Sequence, residues 1–341
     1  YRHFKMDSLL NVIRLMEHNC FMASIDIKDA YYSFATKPAD RKLLCFTWQG
    51  KLYHFTCLPN GLSLAPRKFT KLCKVPLTYL HKQGHISLGH LDDFYLQGRT
   101  QEQCLANVID TVTLFTKLGL VVHPDKSSFL PSIIITLLGF ILNSITMTVK
   151  LTEDKAANLQ KACQTLLRNK NPTIREVARV IGKIVSSFPG TNYGPLYYKH
   201  LEHDKTIALK QNKGNFDGNM SLSTSAKSEL TWWINSISTE QYNILHGQPT
   251  LQITTDASLL GWGAECEGVS TGGHWTSIEA NKHINYLEMY AAFLGLQTFA
   301  KDKCHVHIRL RLDNTTGVSV LNHMGTSHSM ECNTLCKTIW E

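Results

Sequence analysis

The chain has 341 residues, of which 43% are hydrophobic and 18% charged, and carries a net charge of +8. That length is too great for one small core and reads as two or three units, and the apolar content excludes a disordered tail. The longest apolar run, from Ile133 to Leu142, is broken by Thr136 and Gly139 and falls far short of the roughly 20 residues that cross a bilayer, which excludes a transmembrane helix.

The charge is unevenly spread. Residues 1–150 carry 17 Lys+Arg against 10 Asp+Glu, residues 151–249 carry 12 against 8, and residues 250–341 carry 6 against 9. A basic first two-thirds suits a polyanion partner, and an acidic last third suits a metal site. Ten cysteines are scattered without CxxC pairs, so reduced, buried thiols and an intracellular setting are expected rather than a zinc site. The opening residues lack an apolar signal core and do not begin with Met, as in a piece cut from a longer polyprotein.

In chain order, residues 7–17 read as a short amphipathic helix and Phe21 to Ile27 as a buried strand running into Asp26 and Asp29. Leu44 to Trp48 and Leu52 to Thr56 flank Gln49-Gly50-Lys51 as a hairpin. After a Pro59/Gly61 turn, Ala65 to Leu80 is helical. Ile86 to Leu96 forms a second hairpin with Leu91-Asp92-Asp93 at its tip. A helix from Gln101 to Leu118 stops at Gly119, and strand signals return at Leu120 to His123 and from Ile133 to Val149. Residues 152–188 give two capped amphipathic helices, the second opened by a Thr173/Glu176 capping box. Residues 205–219 turn polar and read as an exposed loop. Trp232 and Trp233 are read as core rather than as a stacking surface. Beyond Thr250, Leu251 to Thr255 is a strand, Asn285 to Phe299 a helix and Val306 to Leu312 a strand. The pattern is α+β.

Two groups of acids carry chemistry. Asp26 ends one strand, and Asp92-Asp93 sit on a hairpin tip 66 residues later. Taken alone, the pair is an ordinary solvated turn. A third carboxylate beside it makes an oxygen-only set whose mutual repulsion suits divalent cations such as Mg²⁺, with Mn²⁺ as a substitute. In the last third, Asp256 ends a strand, Glu288 lies on a helix and Asp313 closes another strand. These three can converge on a common edge, again a two-metal pattern for phosphodiester hydrolysis.

The neighbours of these acids bear a family resemblance. Ser24-Ile25-Asp26-Ile27-Lys28-Asp29-Ala30-Tyr31-Tyr32, Leu58-Pro59-Asn60-Gly61, His90-Leu91-Asp92-Asp93, Gly119-Leu120 with His123 and Lys126, and Leu138-Gly139-Phe140 stand in the order of reverse transcriptase palm motifs. The chain thus resembles a reverse transcriptase over residues 1–150. The resemblance implies a right-hand polymerase palm with partial fingers, followed by a helical thumb and connection over 151–249. It implies Asp26, Asp92 and Asp93 as catalytic metal ligands and the Ile27 carbonyl beside them. By the same resemblance Tyr31 matches the sugar gate that excludes a ribose 2′-hydroxyl, Asp29 and Lys126 match residues near the triphosphate, and Asn60 and Gly61 are expected in the nucleotide site. His90 stands where the family usually has Tyr or Phe, and Asn60 where Gln or an aromatic is commoner.

Asp256-Ala257-Ser258 with Gly261-Trp262-Gly263-Ala264, His283-Ile284-Asn285-Tyr286-Leu287-Glu288 and Asp313-Asn314-Thr315-Thr316 resemble the RNase H domain of DIRS-type, tyrosine-recombinase retrotransposons. Tyr1-Arg2-His3-Phe4-Lys5-Met6 resembles that group's palm entry. The resemblance implies an RNase H-like α/β domain over 250–341, truncated before its fourth carboxylate, with Asp256, Glu288 and Asp313 as metal ligands. The implied partners are an RNA template, a DNA or RNA primer, dNTPs and an RNA–DNA hybrid, with further polyprotein domains and no membrane. The alternative is an inactive, nucleic-acid-binding remnant or domesticated scaffold.

Overall fold

A computed structural model describes residue 4 and residues 6–244, 247–304 and 306–341. Of the palm-entry motif, Tyr1, Arg2, His3 and Lys5 lie outside the described residues. The chain divides into two compact units, Tyr1–Thr152 with Gln241–Ile244, and Glu153–Glu240 with Leu245–Glu341. The helical segment after Thr152 therefore clusters with the C-terminal part instead of standing alone.

The first unit runs α1 (Leu9–Leu15), β1 (Phe21–Lys28), β2 (Cys45–Trp48), β3 (Lys51–His54), α2 (Ala65–Lys82), β4 (Ile86–His90), β5 (Asp93–Gly98), α3 (Gln101–Lys117), β6 (Val121–Val122), β7 (Ser128–Ser132), β8 (Ile134–Leu137), β9 (Phe140–Asn143) and β10 (Thr148–Leu151), with β11 (Tyr242–Asn243) returning to it. One sheet has the order β4-β5-β1-β6, and β7 also pairs with β1; a second has the order β11-β10-β9-β8. The β1 and β5 strands are antiparallel with Ile25 opposite Phe94 and Asp26 opposite Asp93.

Alternation along those strands places the chemistry. Ala23, Ile25 and Ile27 of β1 and Phe94 and Leu96 of β5 share one face and bury against Phe69, Cys73 and Leu77 of α2 and Cys104, Val108 and Phe115 of α3. Each large side chain removed from water there contributes on the order of 1.5–3 kcal/mol. The residues between them, Ser24, Asp26, Asp93 and Tyr95, take the opposite face. The apolar face thus fixes where the aspartates stand, since a register slip of one residue would bury them against the helices.

The long strand signal from 133 to 149 is three strands. Leu138 and Gly139 at φ +52° and +76°, and Met147 at φ +51°, make turns that periodicity does not reveal. The β7 strand was hidden in the sequence by Pro131; among the described residues β7 pairs only with β1, and an edge position tolerates a missing N–H.

The second unit holds α4 (Glu153–Arg168), α5 (Ile174–Val185), α6 (Lys199–Gln211) and α7 (Thr224–Ser236), then β12 (Leu251–Ala257), β13 (Gly261–Cys266), β14 (Val269–His274), α8 (Ile284–Phe299), β15 (Ile308–Arg311), α9 (Thr315–Asn322) and α10 (Met330–Trp340). The Thr173/Glu176 box forms at the start of α5, with Thr173 N–H donating to the Glu176 carboxylate at 2.8 Å and Glu176 N–H to Thr173 Oγ1 at 3.2 Å. Residues 205–211, read from sequence as loop, are helix. The α6 helix has few apolar positions, and its start is held by a distant group: the buried Glu229 carboxylate accepts the His200 and Leu201 N–H groups at 3.0 Å each. Trp233 is fully buried and donates to the Tyr197 carbonyl, and Trp232 stacks on Tyr197 at 4.0 Å. The C-terminal sheet has the order β14-β13-β12-β15, antiparallel except for the parallel pair β12 and β15, and α8 packs across β12 and β13.

Candidate active sites

The first site lies at the ends of β1 and β5. Asp26 is 9% exposed at the close of β1. Its backbone is fixed on both sides: Ser127 Oγ accepts the Asp26 N–H at 3.0 Å and donates to the His123 carbonyl at 2.7 Å, while His123 N–H donates to the Asp26 carbonyl at 2.8 Å. Ile27 N–H donates to the Asp92 carbonyl at 2.9 Å, which ties the hairpin tip to β1. Leu91, at φ +55°, turns the chain into the acidic pair. A branched side chain in that left-handed region costs energy, and such strain gathers at functional sites.

A cavity of about 370 Å³ opens beside this turn, lined by Asp29, Ala30, Tyr31, Tyr32, Asn60, Leu91 and Asp92. Four of the residues proposed from sequence, Asp29, Tyr31, Asn60 and Asp92, therefore share one cavity. Tyr31 is half-buried, with its ring edge-on to Phe69 at 5.5 Å. Burial and, after it, the Asp92 carboxylate push the Tyr31 phenol up, so it stays neutral. Asn60 Nδ2 donates to the Tyr32 hydroxyl at 3.3 Å. Gly61 takes the turn at φ +84°. Ile27 and Gly61 are not in the cavity lining.

Asp93 borders a different hollow, with His90 and Tyr95. Burial, then Asp92 and Asp26, push its carboxyl up to about 6, while His90 and Lys126 pull the other way. Lys126 is thus an electrostatic neighbour of the acidic pair, exposed on the turn after Pro124. The His90 ring bonds the Asp7 carbonyl. Asp26, Asp92 and Asp93 are neighbours, but they do not close into a set whose oxygens all lie within 4.8 Å; among the described residues only Asp256, Glu288 and Asp313 do so.

That second trio is built from β12, α8 and the end of β15. Asp256 and Asp313 are exposed and Glu288 is 4% exposed. Burial, then Asp313 and Asp256, push the Glu288 carboxyl up to about 7, opposed by a backbone hydrogen bond from Ala257. Glu288 Oε2 is buried without a hydrogen-bond partner. An orphaned carboxylate oxygen facing two further carboxylates fits a divalent cation better than any protein donor within reach.

Three contributors escaped the sequence reading. Ser127 anchors Asp26, and only its place next to Lys126 hinted at a role. Asn314 caps α9 by accepting the Gly317 N–H at 2.7 Å and donates to Asn285 Oδ1 at 3.0 Å, clasping the loop after Asp313 to the start of α8. Gly295 lies two turns beyond Glu288 on the same face of α8. A Cβ there would meet Thr255 Cγ2 at 2.9 Å, so glycine lets α8 sit close enough to β12 for Glu288 to reach Asp256.

Comparison with known proteins fits this geometry. Residues 2–142 match the family model for reverse transcriptase (RNA-dependent DNA polymerase). The chain is 25% identical over 174 residues to the Gag-Pro-Pol polyprotein of simian retrovirus SRV-2, 48% of this chain and 9% of that protein. It is 24% identical over 210 residues to the Pro-Pol polyprotein of feline foamy virus, 58% of this chain and 18% of that protein. A Pol polyprotein from Drosophila melanogaster transposon 412 is 22% identical over 109 residues, 32% of this chain and 9% of that protein. The fold resembles a foamy viral protease-reverse transcriptase in complex with double-stranded DNA, at TM-score 0.59 and 17% identity, over 90% of this chain and 52% of that one. It also resembles one in complex with RNA/DNA hybrid, at TM-score 0.57 and 16% identity, over 98% of this chain and 44% of that one. The chain spans less than a fifth of these curated polyproteins and about half of these solved chains. Residues 2–142 are thus similar to the reverse transcriptase domain carried by retroviral and retrotransposon Pol polyproteins, and the chain shares the fold of the foamy viral enzyme.

Proposed function

We propose that the chain is an RNA-directed DNA polymerase with a linked RNase H, copying the RNA of a DIRS-type retroelement. In this reading residues 1–150 are palm and partial fingers, 151–249 thumb and connection, and 250–341 an RNase H-like domain. The observation that carries it is the cavity at the acidic turn, which gathers Asp92 with Asp29, Tyr31 and Asn60. The DIRS-type placement rests on the motifs around Asp256, Glu288 and Asp313 and on the resemblance of residues 1–6 to that group's palm entry.

Asp26, Asp92 and Asp93 would hold paired Mg²⁺ ions, or Mn²⁺ in their place. At such a site divalent cations supply activation of a primer 3′-hydroxyl and neutralisation of the leaving phosphates. The protein's own groups do the rest. Tyr31, neutral and braced on Phe69, fills the space a ribose 2′-hydroxyl would need and so selects dNTPs. Asn60 and Asp29 shape the floor of the cavity for the incoming nucleotide. Lys126 offsets negative charge beside Asp93 when a triphosphate arrives. In the second site, Glu288, Asp256 and Asp313 would hold cations for cleavage of the RNA strand of an RNA–DNA hybrid, and the protonated fraction of Glu288 falls when a cation displaces its proton.

The test is primer extension on an RNA template, with Mg²⁺ or Mn²⁺, comparing the chain with its Asp92→Asn variant and with a version extended at both ends. Metal-dependent DNA synthesis lost in the variant is the expected result. Synthesis absent from the unmutated chain and from the extended version alike would leave a nucleic-acid-binding remnant as the better reading.

A further inference from the structure

The solvent face of α2 carries a feature that the polymerase chemistry does not use. The helix contains Arg67, Lys68, Lys71, Lys74 and Lys82 and not one Asp or Glu. At about 100° per residue, Lys74, Arg67, Lys71 and Lys82 fall within an arc of roughly 80°, opposite the buried stripe of Phe69, Cys73, Leu77 and Leu80. Lys68, Lys71, Lys74 and Lys82 are exposed and Arg67 is half-buried. Among the described residues, none of these five cations forms an ion pair with a carboxylate. The elements packed beside α2 add little acid: β4 and the 3-10 turn at Ala30–Ser33 have none, and on α3 Asp110 is already paired with His85 at 2.7 Å, leaving Glu102.

A row of uncompensated cations about 22 Å long repels itself and is stabilised by a line of negative charge. Its position narrows what that line is. The first turns of α2 adjoin the cavity, since Tyr31 of the cavity wall packs on Phe69 and Asn60 of its floor lies five residues before Ala65. The geometry points to a phosphate track: the basic stripe of α2 holds the sugar–phosphate backbone of a nucleic-acid strand that leads away from the cavity. The inference rests on the proposed function only for the identity of the polyanion. The contacts are to phosphate, so the track adds affinity and register without sequence preference.

The experiment measures the affinity of the whole chain for a fluorescein-labelled RNA–DNA template–primer across a salt series, for the unmutated chain, for Lys71→Gln/Lys74→Gln/Lys82→Gln, and for a control with equally exposed lysines removed elsewhere, Lys117→Gln/Lys150→Gln/Lys213→Gln. Gln keeps helix propensity, and circular dichroism checks that α2 survives. Three lost phosphate contacts lower the slope of log K against log salt by about 2 to 3. A slope matching that of the control set overturns the track while leaving the polymerase reading intact. Failure of the unmutated chain to bind the template–primer at low salt overturns both. Binding with the expected slope change, but no extension by the chain or by the version extended at both ends, upholds the track and overturns the polymerase.

Discussion

The first carboxylate cluster hangs on a turn, and the second is pressed between a helix and a sheet. Around Asp92 and Asp93 the acids border two separate hollows, and Lys126 and His90 pull the Asp93 carboxyl down against burial and its acidic neighbours. Around Glu288 three acids draw within 4.8 Å, and the causes that act on Glu288 include no cation. In the first cluster the turn sets the spacing and the Lys126 ammonium eases part of the repulsion. In the second, packing forces convergence, and burial followed by the Asp313 and Asp256 carboxylates favours the protonated form of Glu288. The first cluster should therefore have members of unequal weight and the second should act as a unit.

The largest effect tests the inequality. Asp26→Asn and Asp92→Asn should each lower primer extension by about 10³-fold or more, as loss of a group acting directly on the reaction does. Asp93→Asn, from the side that borders the other hollow, should cost markedly less. Steady-state extension assays rank the three, and equal losses would mean that Asp93 turns into the cavity when substrate binds. In the second cluster Asp256→Asn, Glu288→Gln and Asp313→Asn should each reduce cleavage of an RNA–DNA hybrid by a similar factor, about 10² to 10³. A single dispensable member there would break the picture of one shared cation set.

Tyr31 sharpens the comparison on substrate choice. Tyr31→Ala removes the ring that stands on Phe69, and steric exclusion of this kind is worth roughly 10- to 200-fold. The expected result is rising ribonucleotide incorporation at unchanged dNTP use, read from the ratio of kcat/KM values. Phe69→Leu should shift the same ratio in the same direction but less, because it loosens the ring without removing it.

These contrasts bear on how much the sequence could say. The motif order was legible because each motif puts a special residue type at a strand end or a turn: Asp26, Asn60-Gly61 and Asp92-Asp93. The β1 strand, both hairpins, and the α2 and α3 helices followed from period and punctuation. That Asp256, Glu288 and Asp313 can converge was legible from their places at two strand ends and on a helix, but how closely they do was not. Whether three acids meet depends on the closeness of α8 to β12, which Gly295 sets through contacts with Thr255 and Ala264, and nothing in the α8 sequence distinguishes that glycine from a helix-weakening one. The α6 helix was missed for a similar reason: its start depends on Glu229, about 30 residues away. The broken strand run from 133 to 149 was missed because Leu138 and Met147 carry positive φ without being Gly, Asn or Asp.

Gly295 gives a packing test. Gly295→Ala places a methyl group at 2.9 Å from Thr255 Cγ2, and overpacking of this kind costs about 1–3 kcal/mol. The strain is confined to the second unit, so hybrid cleavage and metal affinity should fall while primer extension holds. A Thr255→Ser partner substitution removes the clashing methyl and should restore part of the loss.

The smallest expected effect is a pH dependence of stability, and its sign separates relief by proton from relief by cation. The Glu288 carboxyl stands at about 7 in the folded chain against an ordinary 4.5. The folded state therefore binds a proton that the unfolded state gives up, and the associated stability is fully present below pH 4.5 and lost as pH rises through 7. Without divalent cations, the melting temperature of the second unit should fall between those limits. A contribution on the order of 1 kcal/mol corresponds to about 2–4 °C for a unit of this size. Saturating Mg²⁺ or Mn²⁺ should reverse the trend, because a cation binds the ionised carboxylates and stabilises more at pH 8 than at pH 5. Glu288→Gln should flatten the first dependence and shrink the second. If the Gln variant keeps the full metal-induced rise in melting temperature, Asp256 and Asp313 hold the cation without Glu288, and the orphaned Oε2 atom must then be explained by an ordered water.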